Sequence, residues 1–159
     1  MNAPVVSIIG WSGSGKTTFI EKLLPVLKKR GIRVAVIKHD GHEFEMDYEG
    51  KDTWRFTKAG ACAVAITSAS HAALLYNRPV ELEDLIKAAG AGADIILLEG
   101  FKSLGYPRIE VHRLANGKPM YEKPENLIAV VTDDDGISGA PVFSLDDASG
   151  VADLLCSLL

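Results

Sequence analysis

Cysteine is scarce: the 159-residue chain has two, Cys62 and Cys156, far apart in sequence. That count and spacing exclude a disulfide framework and a cysteine metal site, and both residues read as reduced, buried thiols. Long apolar runs are missing too. None approaches the roughly 18 residues that would span a bilayer. Positive charge is in deficit, with 17 Lys and Arg against 21 Asp and Glu, a net charge of −4. A chain so balanced has no general attraction for nucleic acid or anionic lipid, although a local basic site remains compatible with it. The first residues lack a basic region and a cleavage pattern, so a cytoplasmic protein is expected. There is no repeat, linker or low-complexity tract. What is present is ordinary globular composition, 47% hydrophobic and 24% charged. The length suits one domain over residues 1–159 and a core that needs no staples.

The apolar pattern alternates between strands and helices. Val5–Ile9 is a short buried strand ending at Gly10. Lys16–Arg30 carries Phe19, Ile20, Leu23, Leu24 and Leu27 at helical spacing, with basic residues in its last turn and Gly31 as a stop. Pro25 inside it predicts a kink. Arg33–Lys38 is the next strand, and a strand–helix–strand unit with short links implies a parallel pair. Residues 39–50 read as a loop and 51–59 as a short helix. Ala63–Thr67 and Ala72–Tyr76 read as strands joined by small residues, and Glu81–Ala89 as a helix. Asp94–Leu98 and Leu127–Val131 are central strands. Arg108–Arg113 alternates, Asn116-Gly117 signals a hairpin turn, and Pro119 limits the return strand to an edge. Asp146 is positioned to cap a last helix with Val151, Leu154, Leu155 and Leu158 inward. The sum is an α/β sandwich around a largely parallel sheet.

The informative segment is Gly10-Trp11-Ser12-Gly13-Ser14-Gly15-Lys16-Thr17-Thr18, a P-loop pattern set between a strand and a helix. A polyphosphate needs several donors converging on a small volume. Glycines let successive N–H groups turn inward, and the helix start offers its unpaired N–H groups and positive dipole end. Lys16 is expected to bridge the β- and γ-phosphates, Thr17 to place its hydroxyl on Mg²⁺, and Thr18 to reach the α-phosphate. A glycine-rich turn that bound nothing would carry the entropic cost of ordering Ser12–Gly15 without return. The magnesium shell needs a carboxylate. Glu99 is the leading candidate because ligands of open α/β sheets gather at the carboxyl ends of strands. Asp94, at the other end of that strand, is a weaker one.

Other polar clusters are less specific. Lys38-His39-Asp40-Gly41-His42 follows the second strand at the same edge, placed to meet phosphate or a second substrate. Two histidines three apart are weak evidence for a metal without further ligands. Asp47 and Asp52 are further magnesium candidates, and Lys51 and Arg55 are candidates to neutralise an anion. Thr132-Asp133-Asp134-Asp135 follows a strand, and a carboxylate there suits the N1 and N2 donors of guanine. The Asn-Lys-x-Asp signature is absent, so an acidic turn capping the strand is the competing reading. His71 and His112 read as structural, Trp11 and Trp54 as packing residues.

Taken in order, several segments resemble the MobB family of molybdopterin-guanine dinucleotide biosynthesis proteins. They are the P-loop, Lys38-His39 with His42, Asp47, Gly50-Lys51-Asp52-Thr53-Trp54-Arg55, Leu98-Glu99-Gly100-Phe101-Lys102 and Ile109-Glu110-Val111-His112-Arg113. The likeness runs from about Val5 to Asp134. It implies a P-loop NTPase fold, a three-layer sandwich with an antiparallel hairpin extension. It also implies GTP and Mg²⁺ binding, slow hydrolysis and a homodimer. The partner it implies is the MobA nucleotidyltransferase, which joins GMP to molybdopterin. Molybdopterin or the molybdenum cofactor is then a possible bound substrate, with Lys51, Arg55, Lys102 and Arg108 as partners for its phosphate. A hairpin at Asn116-Gly117 is placed as a candidate dimer contact. The wider group of dimeric P-loop proteins, dethiobiotin synthetase-like enzymes among them, supports Glu99 as a magnesium residue and Asp47 or Asp52 less firmly. Two alternatives stand beside this: a small-molecule kinase or ATP-dependent ligase, and a carrier without chemistry of its own.

Overall fold

A computed structural model describes residues 3–121 and 126–159. The chain divides into two compact units, residues 40–85 and the remainder. Among the described residues no helix is long and apolar enough to cross a membrane.

The larger unit is a six-stranded parallel sheet in the order β2-β5-β1-β6-β7-β8. Its strands are β1 (Val5–Ile9), β2 (Val34–Lys38), β5 (Ile95–Glu99), β6 (Arg108–Val111), β7 (Leu127–Val131) and β8 (Val142–Phe143). Strands buried on both faces must be apolar on both, and β5 is buried from Ile95 to Glu99. Register aligns the carboxyl ends: Ile8 and Lys38 both pair with Glu99, Ile9 pairs with Glu110, and Val111 with Val131. The residues that follow these strands therefore emerge along one edge.

One face carries Val6, Ile8, Ile95, Leu97, Ile109, Val111, Ala129 and Val131. It packs on helix α1 (Lys16–Lys29) through Phe19, Ile20, Leu23 and Leu27. Helix α4 (Ala148–Cys156) adds Val151, Ala152 and Leu155. Each such aliphatic side chain contributes about 1.5–3 kcal/mol when fully buried. On the other face Ser7, Ile9, Ile96, Leu98, Glu110 and Val130 are buried as well. Gly90, just past helix α3 (Leu82–Ala89), lies so close that a Cβ there would sit 2.6 Å from Ile96 Cδ1. Tyr121 crosses the same face and donates its N–H to Glu110 at 2.9 Å. Both faces of the sheet are thus covered, as expected of a sandwich.

α1 continues through Pro25 to Lys29, and Gly31 (φ +78°) turns the chain, as expected of the stop. Two local expectations are corrected. Asp147, not Asp146, caps α4, accepting from Gly150 N at 2.8 Å. Asp146 instead reaches Lys22 of α1 at 2.6 Å. Residues after β6 do not form a hairpin either. Leu114–Asn116 makes a single 3₁₀ turn, Gly117 takes φ +61°, and among the described residues no return strand pairs with β6. Both flanks of β6 are already taken by the parallel strands β1 and β7, so an antiparallel neighbour has no edge to join.

The smaller unit holds helix α2 (Asp52–Lys58) and an antiparallel hairpin of β3 (Ala63–Thr67) and β4 (Ala72–Tyr76). That hairpin is the expected antiparallel element, closed where Ser68 N donates to His71 O at 2.7 Å. No described residue of this unit is buried, and Phe44, Met46, Tyr48, Phe56, Ile66 and Leu74 are each more than half exposed. Cys62 lies here and is exposed, while Cys156 in α4 is half-buried, so neither is the fully buried thiol expected. α3 crosses from one unit to the other.

Candidate functional site

β1 ends between β5 and β6, and the loop at residues 10–15 begins there. Gly10 has φ +147°, and a Cβ on it would lie 2.4 Å from Val111 O and 2.6 Å from Ser14 Oγ. Only glycine fits, because the loop passes against the end of β6. Gly13 and Gly15 also have positive φ, +78° and +93°. Gly15 is the residue before α1, and no side chain caps that helix and no acid stands in its first turn. The amides at the start of α1 therefore point to an external anion as partner.

Lys16 Nζ folds back over the loop, donating to Gly10 O at 3.1 Å and Trp11 O at 2.9 Å. Burial lowers its pKa; Glu99 opposes that, and Lys102 and Lys38 add to it. Thr17 Oγ1 donates to Glu99 Oε1 at 2.8 Å. Glu99 is the last residue of β5 and is 7% exposed. Residues 82 apart in sequence, one on a helix and one at a strand end, thus present a hydroxyl and a carboxylate together. His39 follows β2, gives its N–H to Glu99 O at 2.9 Å and stands 5.3 Å, ring to ring, from Phe101.

The opposite flank of the loop belongs to the segment after β6. Arg113 Nη2 lies 3.9 Å from where a Cβ on Gly15 would be, and its buried Nε has no protein partner. Asn116 donates to Ser12 O at 3.2 Å, so the Asn-Gly pair read as a hairpin corner braces the loop instead. Neither residue stands out in the sequence as a site residue. The signal for Arg113 is its place just past a strand flanking the P-loop strand. Asp133 Oδ1 accepts from Leu114 N at 2.8 Å, and Asp134 Oδ1 from Gly136 N at 2.9 Å, with its other oxygen 3.7 Å from His112. The acidic turn therefore ties the ends of β6 and β7 while leaving each carboxylate one oxygen outside these backbone bonds.

Trp11 stacks on Tyr121 with centroids 4.7 Å apart, and Lys102 Nζ stands 5.3 and 4.9 Å from the two rings. A cavity of about 490 Å³ opens beside them.

Asp47, Lys51 and Arg55 belong to the smaller unit. Asp47 accepts from Tyr48 N at 2.9 Å and borders a small cavity of about 90 Å³ with Thr53 and Ile66. Lys51 stands over the Tyr48 ring at 5.1 Å, and Arg55 is 3.4 Å from Asp52. Asp94 is held by Arg33 at 2.7 Å, away from the loop at the amino end of β5. Among the described residues no group of three or more His, Cys, Asp or Glu is arranged to hold a metal ion.

A family model for molybdopterin guanine dinucleotide synthesis protein B matches residues 5–133. A molybdopterin-guanine dinucleotide biosynthesis adapter protein of Haemophilus influenzae is 42% identical over 132 residues, 81% of this chain and 74% of that one. Its Escherichia coli counterpart is 36% identical over 96% of this chain and 91% of its own. The crystal structure of Bacillus subtilis MobB aligns with a TM-score of 0.79 at 33% identity, covering 98% of both chains.

Proposed function

We propose, because this chain belongs to the molybdopterin guanine dinucleotide synthesis protein B (MobB) family, that it is a GTP-binding adapter of molybdenum cofactor biosynthesis. The observation that carries the nucleotide reading is the hydrogen bond of Thr17 to Glu99, 2.8 Å, at the mouth of an uncapped helix start. Hard oxygen ligands of this kind suit Mg²⁺, and the positive φ of Gly13 and Gly15, +78° and +93°, lets the loop backbone curl as a phosphate cradle needs. Thr17 and Glu99 hold the ion, directly or through water. When bound there, the ion would supply positive charge against that of the phosphates.

The protein's own groups do the rest. The backbone N–H groups of Ser12, Gly13, Ser14 and Gly15 cradle the phosphates, and Thr18 reaches the α-phosphate. Lys16 gives up two loop carbonyls for phosphate oxygens. Lys38 and Lys102 add positive charge beside it, and Arg113 adds more on the Gly15 side. His39 lines the edge next to Glu99. The second carboxylate oxygens of Asp133 and Asp134, that of Asp134 facing His112 at 3.7 Å, accept from guanine. The parts of Asp47 as a magnesium ligand, and of Lys51 and Arg55 as anion partners, are proposed on the family likeness alone.

Turnover is slow and serves the adapter role in the cytoplasm, where the protein assists a MobA-type nucleotidyltransferase. The exposed apolar side chains of residues 40–85 support a homodimer formed through that unit. Calorimetric titration with GTP and ATP, each with Mg²⁺ and with EDTA, tests the reading. At least tenfold tighter Mg²⁺-dependent binding of GTP is expected. Equal affinities remove the guanine assignment, and no binding removes the site. Faster guanylylation of molybdopterin by the partner enzyme when this protein is added tests the adapter role, and sedimentation the dimer.

A further inference from the structure

We propose that Glu110 is a positioning residue for the phosphate loop, acting through a strap, residues 114–121, that leaves the end of β6 and runs alongside the loop. The inference rests on the nucleotide reading for its ligand and on the contacts of the strap for the rest.

Glu110 lies in the Ile109–Arg113 segment, and the phosphate site makes no direct use of it. A central strand favours apolar side chains on both faces, yet β6 carries this fully buried carboxyl group. Burial pushes its pKa up, with the Tyr121 N–H and His112 opposing. One oxygen accepts from Tyr121 N at 2.9 Å, and the other has no hydrogen-bond partner among the described residues. A leucine would fill the position at less cost, so what the carboxyl group adds is an acceptor for Tyr121.

That bond fixes the far end of a segment with which no described strand pairs. The near end is fixed by Leu114 N, which donates to Asp133 Oδ1 at 2.8 Å. Between these anchors the strap meets the phosphate loop repeatedly. Asn116 Nδ2 donates to Ser12 O at 3.2 Å, and its Oδ1 lies 3.7 Å from where a Cβ on Gly13 would be. Trp11 Nε1 donates to Pro119 O at 2.7 Å. The Trp11 ring stacks on Tyr121, 4.7 Å between centroids and 15° from parallel. Tyr121 is thus held by Glu110 through its backbone and holds Trp11 through its ring.

The loop has use for this support. Ser12 and Gly13 are exposed, and the backbone bond inside the loop runs from Ser14 N to Trp11 O at 3.1 Å. Ile9, which leads into the loop, is the register partner of Glu110 on the adjoining strand. A loop fixed in advance from both sides leaves less ordering for a ligand to supply.

The test uses the full chain with Trp54→Phe, which leaves Trp11 as its one tryptophan. Glu110→Leu removes the acceptor, and Glu110→Gln keeps it without the charge. In the absence of nucleotide, Glu110→Leu should shift Trp11 emission to the red and raise its quenching by acrylamide, while Glu110→Gln should match the parent. In calorimetry with GTP and Mg²⁺, Glu110→Leu should bind about tenfold more weakly and Glu110→Gln within about twofold of the parent. Asn116→Ala should also weaken binding. Because both residues act through one strap, the Glu110→Leu/Asn116→Ala protein should bind within about threefold of the weaker single variant. Parent-like Trp11 emission in Glu110→Leu, a Glu110→Gln protein as weak as Glu110→Leu, or losses that multiply in the double variant overturns the proposal. Tyr121→Leu breaks the link between anchor and loop without touching the sheet. Parent-like GTP affinity in that variant overturns the proposal even where Glu110→Leu does not fold. Failure of the parent to bind GTP sinks the nucleotide reading alone, and Trp11 emission then still decides whether Glu110 holds the loop.

Discussion

Replacing Lys16 by alanine separates a phosphate-binding loop from a structural turn, and the geometry sets the size of the effect. Lys16 makes two hydrogen bonds to loop carbonyls, at 3.1 and 2.9 Å, and must exchange both for phosphate oxygens. A hydrogen bond to a charged group contributes about 1.5–3 kcal/mol, so two to phosphate give about 3–6 kcal/mol. Surrendering the carbonyls returns roughly half of that. The net loss in Lys16→Ala is then about 1.5–3 kcal/mol, or roughly 12- to 150-fold in Kd. Fold stability should move by less than about 1 kcal/mol, since relief of burial offsets the two lost bonds. The same site carries a pH dependence. The Lys16 pKa is lowered by burial, so the ammonium is the strained form in the unliganded fold, and that cost vanishes as pH rises through the lowered pKa. Phosphate raises the pKa again, so alkaline binding should take up a proton and affinity should fall as pH rises. Titration of parent and variant with GTP and Mg²⁺ in two buffers of different ionisation enthalpy measures both effects, and urea unfolding measures stability. A folded Lys16→Ala protein binding within about threefold of the parent would refute the assignment.

Three further outcomes follow from the same contacts. Glu99→Gln removes the charge facing Thr17 and the one group that opposes the lowering of the Lys16 pKa, so Mg²⁺ should no longer improve GTP binding. Calorimetry with Mg²⁺ and with EDTA decides it, and an unchanged magnesium effect removes Glu99 from the metal site. Gly10→Ala places a Cβ 2.4 Å from Val111 O at φ +147° and should cost more than about 3 kcal/mol of stability, read by urea unfolding. Asp94, held by Arg33, has its pKa lowered to about 2. Its stabilising contribution is present above the ordinary carboxylate range and fades as pH falls from about 4 towards 2. Asp94→Asn should therefore destabilise the fold at neutral pH and flatten its acid unfolding curve in that window, with GTP affinity unchanged.

Much of the larger unit is legible because its signals are local. Val5–Ile9 and Leu127–Val131 are apolar on both faces, which a centre-sheet strand requires, and the loop between β1 and α1 shows its glycines in the order a phosphate cradle needs. Glu99 is legible because it stands at the end of such a strand. Arg113 and Asn116 are not, because their place beside Gly15 and Ser12 comes from the pairing of β1 with β6, residues about a hundred positions apart. Asn116-Gly117 carries a true turn signal, but which turn it makes depends on whether β6 has a free edge, and it has none. Cys62 was expected inside because cysteine is usually buried, whereas it lies in a unit that buries nothing by itself.

The placement of charge explains how an acidic protein can carry the proposed anion site. Net charge is a sum over the whole chain, while a parallel sheet gathers residues by their place relative to strand ends. Four adjacent strands, β2, β5, β1 and β6, run the same way, and each is ended or followed by a cation: Lys38, Lys102, Lys16 and Arg113. Lys38 and Lys102 each lower the Lys16 pKa, so the clustering carries an electrostatic cost in the unliganded fold. Glu99 offsets part of that cost, and a polyphosphate with its metal ion can offset more. Three carboxylates elsewhere are engaged by partners of their own, Asp94 by Arg33, Asp146 by Lys22 and Asp153 by Arg30. The deficit of positive charge across the chain and its local excess at one sheet edge are thus compatible consequences of one topology.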